Sequence, residues 1–203
     1  MHGIALRKFL LFLLLLGGAL SGARADDIEI TDVRLIAAED GIALSADFAF
    51  ELNPRLAEAV TSGVPLYFVI EFELTRPRWY WFDEKASAKR LQLRLSYHAL
   101  SRHYRLSTGV LQQNYPTLEE ALNVLRRLRN WQVVDRSAAL SDANYEAALR
   151  MRLDGALLPK PFQLSAITSR DLKLESSWRR FVFRPGTPSA PVESREMKES
   201  DAK

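Results

Sequence analysis

Large apolar residues recur at every second position in four long segments of this chain. Between Leu91 and Tyr97, for example, the intervening positions hold Gln92, Arg94 and Ser96. This period places the apolar side chains on one face of a β-strand and the others on the opposite face. The pattern therefore predicts half-buried strands with one polar face. The four segments are 42–51, 66–74, 91–98 and 145–154.

Weaker patterns predict further strands and the way the first two are joined. Asp40–Gly41 is a dipeptide that favours a tight hairpin turn. The first strand changes phase, because Ile30 is apolar at an even position and Val33 at an odd one. That change indicates a bulge, or a strand that leaves one sheet for another. The additional strands are predicted at 28–37, 104–110, 131–135, 172–174 and 178–183.

One helix is predicted near residues 117–129. Thr117 and Glu120 form a capping-box pattern just after Pro116, and Asn130 is a suitable end. A second, short helix is expected from Pro54 to Gly63. The apolar stripe of the first helix would contain Leu118, Ala121, Leu122, Leu125 and Leu128. The residues expected on its solvated face are Glu119, Arg126, Arg127 and Arg129.

Many alternating strands and one amphipathic helix predict a mainly β fold. The expected architecture is an antiparallel, immunoglobulin-like β-sandwich with the helix inserted in a connection, and a helix-capped β-barrel is the alternative. A single domain is expected over residues 26–183. Residues 184–203 are rich in proline and charge and poor in apolar residues, so they are predicted to be a disordered tail.

The N-terminus has the three parts of a secretory signal peptide. Arg7 and Lys8 precede an uncharged apolar run over 9–20, and small residues at Ala23 and Ala25 fit a peptidase site. Cleavage after residue 25 is predicted. The alternative is an inner-membrane anchor formed by residues 9–20, although a spanning helix needs roughly 20 apolar residues. Membrane association is expected only through this leader, in the case that it is not cleaved.

Charge and cysteine content exclude several classes of function. Three of the 28 basic residues lie in the leader, and the remaining chain carries 25 basic and 25 acidic residues. A balanced, exported chain gives no reason to expect nucleic acid as a partner. The chain has no cysteine, so thiol catalysis, cysteine–zinc sites and disulfides are excluded.

No catalytic or metal-binding motif is found in the sequence. His98 and His103 are the only histidines after the leader, and no acidic residues stand beside them at metal-ligand spacing. Their separation would put them on opposite faces of a strand, or in a connection between two strands. Nucleophile elbows, phosphate-binding loops and zinc-protease motifs are all missing. We therefore predict a non-enzymatic protein without cofactor or metal.

The segment after the strand 66–74 is the strongest candidate for a binding site. It combines arginines with four consecutive aromatic residues, Trp79 to Phe82. Tryptophan, tyrosine and arginine are the usual anchors of protein interfaces. The alternative is a long hairpin whose aromatic faces are both covered by the rest of the fold. The predicted partner-binding residues are Arg76, Arg78, Trp79, Tyr80 and Trp81.

Several stretches resemble a family of exported, uncharacterised proteins of Gram-negative bacteria, domain-of-unknown-function family 4390. They include 75–81, 90–97, 104–107, 117–122, 150–154, 157–161 and 178–183. The resemblance implies a signal peptide, one domain and no assigned activity. Export with cleavage of the leader predicts a periplasmic location.

Three functions remain open at this stage. The first is a non-enzymatic interaction module of the periplasm or envelope, with an envelope protein as partner. The second is a protein that binds a small apolar ligand or lipid between the sheets or beneath the helix. The third is an unrecognised hydrolase, which would require His98 or His103 to meet an acid and a hydroxyl in a pocket.

Overall fold

The computed structural model describes residues 28–78, 83–138, 140–160 and 173–185. The leader 1–25, with its apolar run 9–20, lies outside these residues, as does the tail from residue 186. No helix among the described residues is both long and apolar enough to cross a membrane.

The described part of the chain contains nine strands and two α-helices. A short 3-10 helix covers Gly155–Leu157. The helices are α1 (Pro54–Thr61) and α2 (Leu118–Leu125). The strands are β1 (Glu29–Ala38), β2 (Gly41–Ala49), β3 (Leu66–Arg76), β4 (Glu84–His98), β5 (His103–Thr108), β6 (Leu111–Tyr115), β7 (Arg127–Asp135), β8 (Tyr145–Leu153) and β9 (Arg179–Phe183).

The strands form two antiparallel sheets packed as a sandwich. The smaller sheet has the order β1-β2-β7, and the larger has the order β6-β5-β4-β3-β8-β9. The predicted β-sandwich is thus confirmed, and the helix-capped barrel is not the observed fold. The immunoglobulin-like prediction holds for the two-sheet architecture. The topology differs, because the sheets have six and three strands rather than four and three, and β3 to β6 form a meander.

One apolar core fills the space between the sheets. Phe68, Ile70 and Phe72 of β3 point into it, together with Leu149 of β8 and Leu44 of β2. These residues occupy alternate strand positions, so the period-two pattern of the sequence is the pattern of burial. The sheets also meet through polar contacts. Lys89 Nζ on β4 donates to Asp135 Oδ2 on β7 at 2.9 Å.

Several local predictions are confirmed. The turn at Asp40–Gly41 joins β1 to β2, and the β1–β2 register shifts between Ile30 and Asp32, where a bulge was expected. Helix α1 begins after Asn53, whose side chain accepts the Leu56 N–H at 2.9 Å.

The strand predicted at 172–174 is not seen among the described residues. The contact of this segment with β8 is a single bridge between Glu175 and Arg152.

The predicted helix 117–129 is too long by one turn. Thr117 caps α2 by accepting the Glu120 N–H at 3.2 Å, as expected. The helix ends at Leu125, and Leu128 reaches the core from β7, opposite Ala46. Asn130 lies inside β7 rather than at a helix end. Pairing with β2 therefore overrides the helical pattern, because it buries Leu128 and satisfies the backbone at the same time.

Arg126 was predicted to lie on a solvated helix face, and this prediction is wrong. Its side chain is only 18% exposed and pairs with Glu119 at 2.6 Å. Its Nε donates to the carbonyl oxygen of Phe50 at 3.0 Å, and its guanidinium lies 5.5 Å from the Phe50 ring. Arg126 therefore ties the end of α2 to the chain that leaves β2.

We expect Arg126→Ala to lower the free energy of unfolding by about 1–3 kcal/mol, because it leaves the Phe50 carbonyl without its charged donor. Arg127→Ala is the matched control, since Arg127 is the next residue along the chain and its side chain is exposed. Its effect should stay within about 0.5 kcal/mol. Urea denaturation of both variants measures the difference, and equal stabilities would contradict the role given to Arg126.

Candidate functional site

The outer face of the large sheet carries the most organised polar cluster in the described residues. Residues directly opposite one another in antiparallel strands share a face. Glu71 on β3 lies opposite Arg90 on β4 and Arg150 on β8. Because Ile70 and Phe72 face the core, this row of three charged residues faces outward. Arg152 lies opposite Val69 on the same face.

Glu71 is the centre of this cluster, since three arginines converge on its carboxylate. Arg150 donates to Oε2 from Nη2 at 2.5 Å and from Nε at 3.1 Å. Arg90 Nη2 donates to Oε1 at 2.8 Å. Arg152 Nε lies 3.5 Å from Oε2 and also approaches Asp154. The carboxylate thus holds the arginines in fixed positions by charge-assisted hydrogen bonds.

The environment keeps Glu71 ionised. Partial burial would raise the pKa of its carboxyl, but the hydrogen bonds from Arg150 and Arg90, with the charges of Arg150 and Arg152, outweigh burial and lower the pKa below its ordinary value. A general acid or base for neutral pH needs a carboxyl pKa that is raised instead. The carboxylate is therefore suited to positioning arginines rather than to proton transfer.

Trp178 completes the cluster. The guanidinium carbon of Arg150 lies 4.6 Å from the centroid of the Trp178 ring, which is a cation–π contact. Beside this pair is a shallow depression of about 270 Å³. Its lining includes Glu71, Ala88, Arg90, Arg150 and Trp178. We call Glu71, Arg90, Arg150, Arg152 and Trp178 the outer-face cluster.

The predicted binding segment is only partly described. Arg76 ends β3, opposite Glu84 at the start of β4. Arg78 forms an ion pair with Glu84, and its N–H donates to Asp83 Oδ1 at 3.3 Å. The structure thus brings Arg76 and Arg78 together at one end of the β3–β4 hairpin. Trp79, Tyr80 and Trp81 lie outside the described residues.

The two histidines flank the β4–β5 turn and face each other as the last pair of these strands. His98 Nδ1 accepts the Ser101 N–H at 3.3 Å and lies 3.1 Å from the Ser101 hydroxyl. His103 Nδ1 donates to the Ser101 carbonyl oxygen. No carboxylate of the described residues pairs with either ring. Within the same residues, no group of three His, Asp or Glu is placed to hold a metal.

Sequence reasoning missed the outer-face cluster. Its members are spread over more than a hundred positions, and only the strand register brings them together. One sequence feature could have indicated that the half of the large sheet containing Arg90 carries excess positive charge. Residues 85–118 contain no aspartate or glutamate, although they include six lysines and arginines. This acid-free stretch forms β4, β5 and β6.

Comparison with known proteins gives one match. A family model described as a domain of unknown function (DUF4390) matches residues 25–182. The matched range includes all of the strands from β1 to β8 and all but the last residue of β9. The resemblance drawn from the sequence stretches is thereby confirmed. No curated protein and no solved structure matches the chain.

Proposed function

The chain belongs to the family described as a domain of unknown function (DUF4390), and from its own surface we propose that it is a non-enzymatic interaction module of the periplasm. The observation that carries the proposal is the outer-face cluster. The leader 1–25 supports export, because its charge and hydropathy pattern is that of a signal peptide. The partner is an envelope protein.

The outer-face cluster has the composition of an interface anchor. Tryptophan and arginine are over-represented among the residues that contribute most to binding. Glu71 holds Arg90 and Arg150 in place before a partner arrives, so little side-chain freedom remains to be lost on binding. Three arginines around the carboxylates of Glu71 and Asp154 also leave excess positive charge for an acidic partner surface.

The state of Glu71 and the contacts of the two histidines argue against a catalytic role for the outer face of the large sheet. Glu71 is engaged by three arginines and has a lowered pKa. In the described residues, the ring nitrogens of His98 and His103 hydrogen-bond to Ser101 of their own turn. The role proposed for Arg76, Arg78, Trp79, Tyr80 and Trp81 in partner binding stays a prediction.

Photocrosslinking in intact cells of the source organism tests the proposal. A photoreactive residue at Ala88 lies on the outer face beside the depression, and one at Ala37 lies exposed on β1 of the other sheet. We expect one discrete protein adduct from position 88 and none from position 37. The adduct should disappear when Trp178→Ala is combined with the probe at 88.

The melting temperature of each variant is measured in parallel. If Trp178→Ala prevents folding, the charge reversal Arg90→Glu replaces it, because the Arg90 side chain is 57% exposed. An adduct that forms equally from positions 88 and 37, or that survives both substitutions, would contradict an outer-face interface. Absence of any adduct from position 88 would contradict it as well.

A second candidate function is binding of a small apolar molecule. A depression of about 350 Å³ lies near the β1–β2 turn, and most of its lining is apolar. The residues that supply this lining include Ala38, Ile42, Val134, Ala138 and Leu140. Native mass spectrometry of gently purified protein would show a copurifying molecule, and Ile42→Asp should remove it. A spectrum of apo protein alone would dismiss this candidate.

A further inference from the structure

Strand β6 is an edge strand that lacks the sequence features that usually protect such an edge. Among the described strands it pairs only with β5, and its register with β5 is regular from Leu111 to Tyr115. Its sequence, Leu-Gln-Gln-Asn-Tyr, contains no charge and no proline. Natural edge strands commonly carry charges, prolines or bulges that prevent another strand from adding.

The other three edges in the described residues carry such features. The register of β1 has a bulge between Ile30 and Asp32, and β7 shifts twice in its pairing with β2. Strand β9 contains Arg179 and Arg180. An open edge is therefore a specific property of β6 and not of the sheets in general.

The hairpin geometry determines which backbone groups of β6 are available. Thr108 lies opposite Leu111 across the two-residue turn Gly109–Val110. In a two-residue hairpin the closing pair is hydrogen-bonded, and bonded and non-bonded pairs then alternate along the strands. The non-bonded pairs are those of Gln112 and Asn114. Their N–H and C=O groups therefore point away from β5, toward the free edge.

Charge beside this edge indicates the kind of strand that would add. Arg105 on β5 lies opposite Asn114 and donates from Nε to Asn114 Oδ1 at 3.0 Å. Its guanidinium consequently lies over β6. No carboxylate of the described residues pairs with it, and the whole stretch 85–118 is free of acids. An added strand would lie about 4.8 Å beyond β6, within reach of this group.

We propose that β6 is a strand-addition site for an extended segment of a partner protein that carries acidic residues. Backbone hydrogen bonds to Gln112 and Asn114 hold the segment, and a carboxylate beside Asn114 pairs with Arg105. A second copy of this chain fits less well. Antiparallel pairing of two β6 strands about Gln113 would bring two unneutralised Arg105 side chains together.

This proposal goes beyond the interface of the outer-face cluster. Strand β6 and strand β9, beside which Trp178 lies, are opposite edges of the six-stranded sheet. Loss of crosslinking at position 88 and loss of binding at β6 are thus independent results, and either site can fail without the other.

The test uses the purified chain without its leader and two synthetic probes. One is a fluorescent peptide of about seven residues, the length of a typical strand, that alternates valine and glutamate, and the other alternates valine and lysine. Fluorescence anisotropy should show saturable binding of the glutamate peptide and at least about tenfold weaker binding of the lysine peptide. Failure to bind the glutamate peptide overturns the proposal.

Two variants examine the mechanism. Gln112→Pro removes an N–H that points to the free edge and not to β5, so the hairpin should persist while affinity falls about tenfold or more. Gln113→Ala is its control and should bind normally. Arg105→Glu should reverse the preference in favour of the lysine peptide. Melting temperatures confirm that each variant is folded.

Two further outcomes would overturn strand addition by an acidic segment. The first is unchanged binding of the glutamate peptide to both Gln112→Pro and Arg105→Glu, which would place the peptide elsewhere. The second is a stable dimer in sedimentation experiments that Gln112→Pro converts to monomer. That result would assign the edge to a second copy of this chain.

Discussion

Replacing Leu125 by alanine is expected to lower the free energy of unfolding by about 2–5 kcal/mol, the usual cost of truncating a buried leucine. Leu125 is 2% exposed and lies in the core with Ala121 and Leu122 of the same helix. The last turn of α2 leads directly into β7, whose Leu128 is buried beside it. A cavity at Leu125 therefore weakens the junction of helix and small sheet.

Thermal denaturation measures this effect, and the melting temperature should fall by about 5–15 °C for a domain of this size. Val124→Ala is the matched control, because Val124 is the preceding helix residue and is 40% exposed. It should change the free energy of unfolding by no more than about 0.5 kcal/mol. Equal stability of the two variants would show that α2 is a detachable arm rather than part of the core.

The strands with a buried face could be predicted from the sequence. In β8, Tyr145, Leu149 and Met151 are buried and Glu146 and Arg150 are not, as the alternation indicates. A shift of one residue in the pairing of β8 would move every one of these apolar side chains to the solvent face. Burial of the apolar face therefore fixes both the alternation in the sequence and the register of the strand. The bulge in β1 was visible for this reason, since the change of phase records the extra residue.

Elements that bury little could not be predicted in this way. Strand β6 has mostly polar side chains, and four of its five residues are exposed. Its conformation follows from hydrogen bonding to β5, which leaves no periodic trace in the sequence. The end of α2 was misplaced for a related reason. The residues from Arg127 onward fit a helix locally, and only pairing with β2 makes them a strand.

The outer-face cluster is a property of register. Glu71 could have paired with any of the arginines, and the sequence contains no separate signal for Arg90, Arg150 and Arg152. Once β3 is aligned with β4 and β8, the three positions fall around one carboxylate. The aromatic segment 79–82 was conspicuous because its residues are consecutive. Composition thus indicates candidate surfaces, while alignment of strands decides which charged groups act together.

Replacing Gly41 by alanine should be at least as damaging as the change at Leu125. Gly41 begins β2 with φ at +137°, a backbone conformation that L-residues rarely adopt. A Cβ there would lie 2.0 Å from the carbonyl oxygen of Val134 and 2.9 Å from the Arg136 nitrogen. Both atoms are backbone, so β2 and β7 would have to separate at this point.

Separation would also break the hydrogen bond from the Arg136 N–H to the Asp40 carbonyl oxygen, which is 2.8 Å long. Backbone strain and lost hydrogen bonds together predict a loss of about 3–5 kcal/mol in the free energy of unfolding. Gly63→Ala is the matched control, since Gly63 also has a positive φ, +93°, but open space around its Cβ position. It should cost only about 1–2 kcal/mol, from strain alone. Urea denaturation of both variants separates the two costs. If Gly41→Ala were as stable as Gly63→Ala, a Cβ at position 41 would not meet the Val134 carbonyl oxygen at 2.0 Å, and β2 and β7 would be less closely packed there than the structure shows.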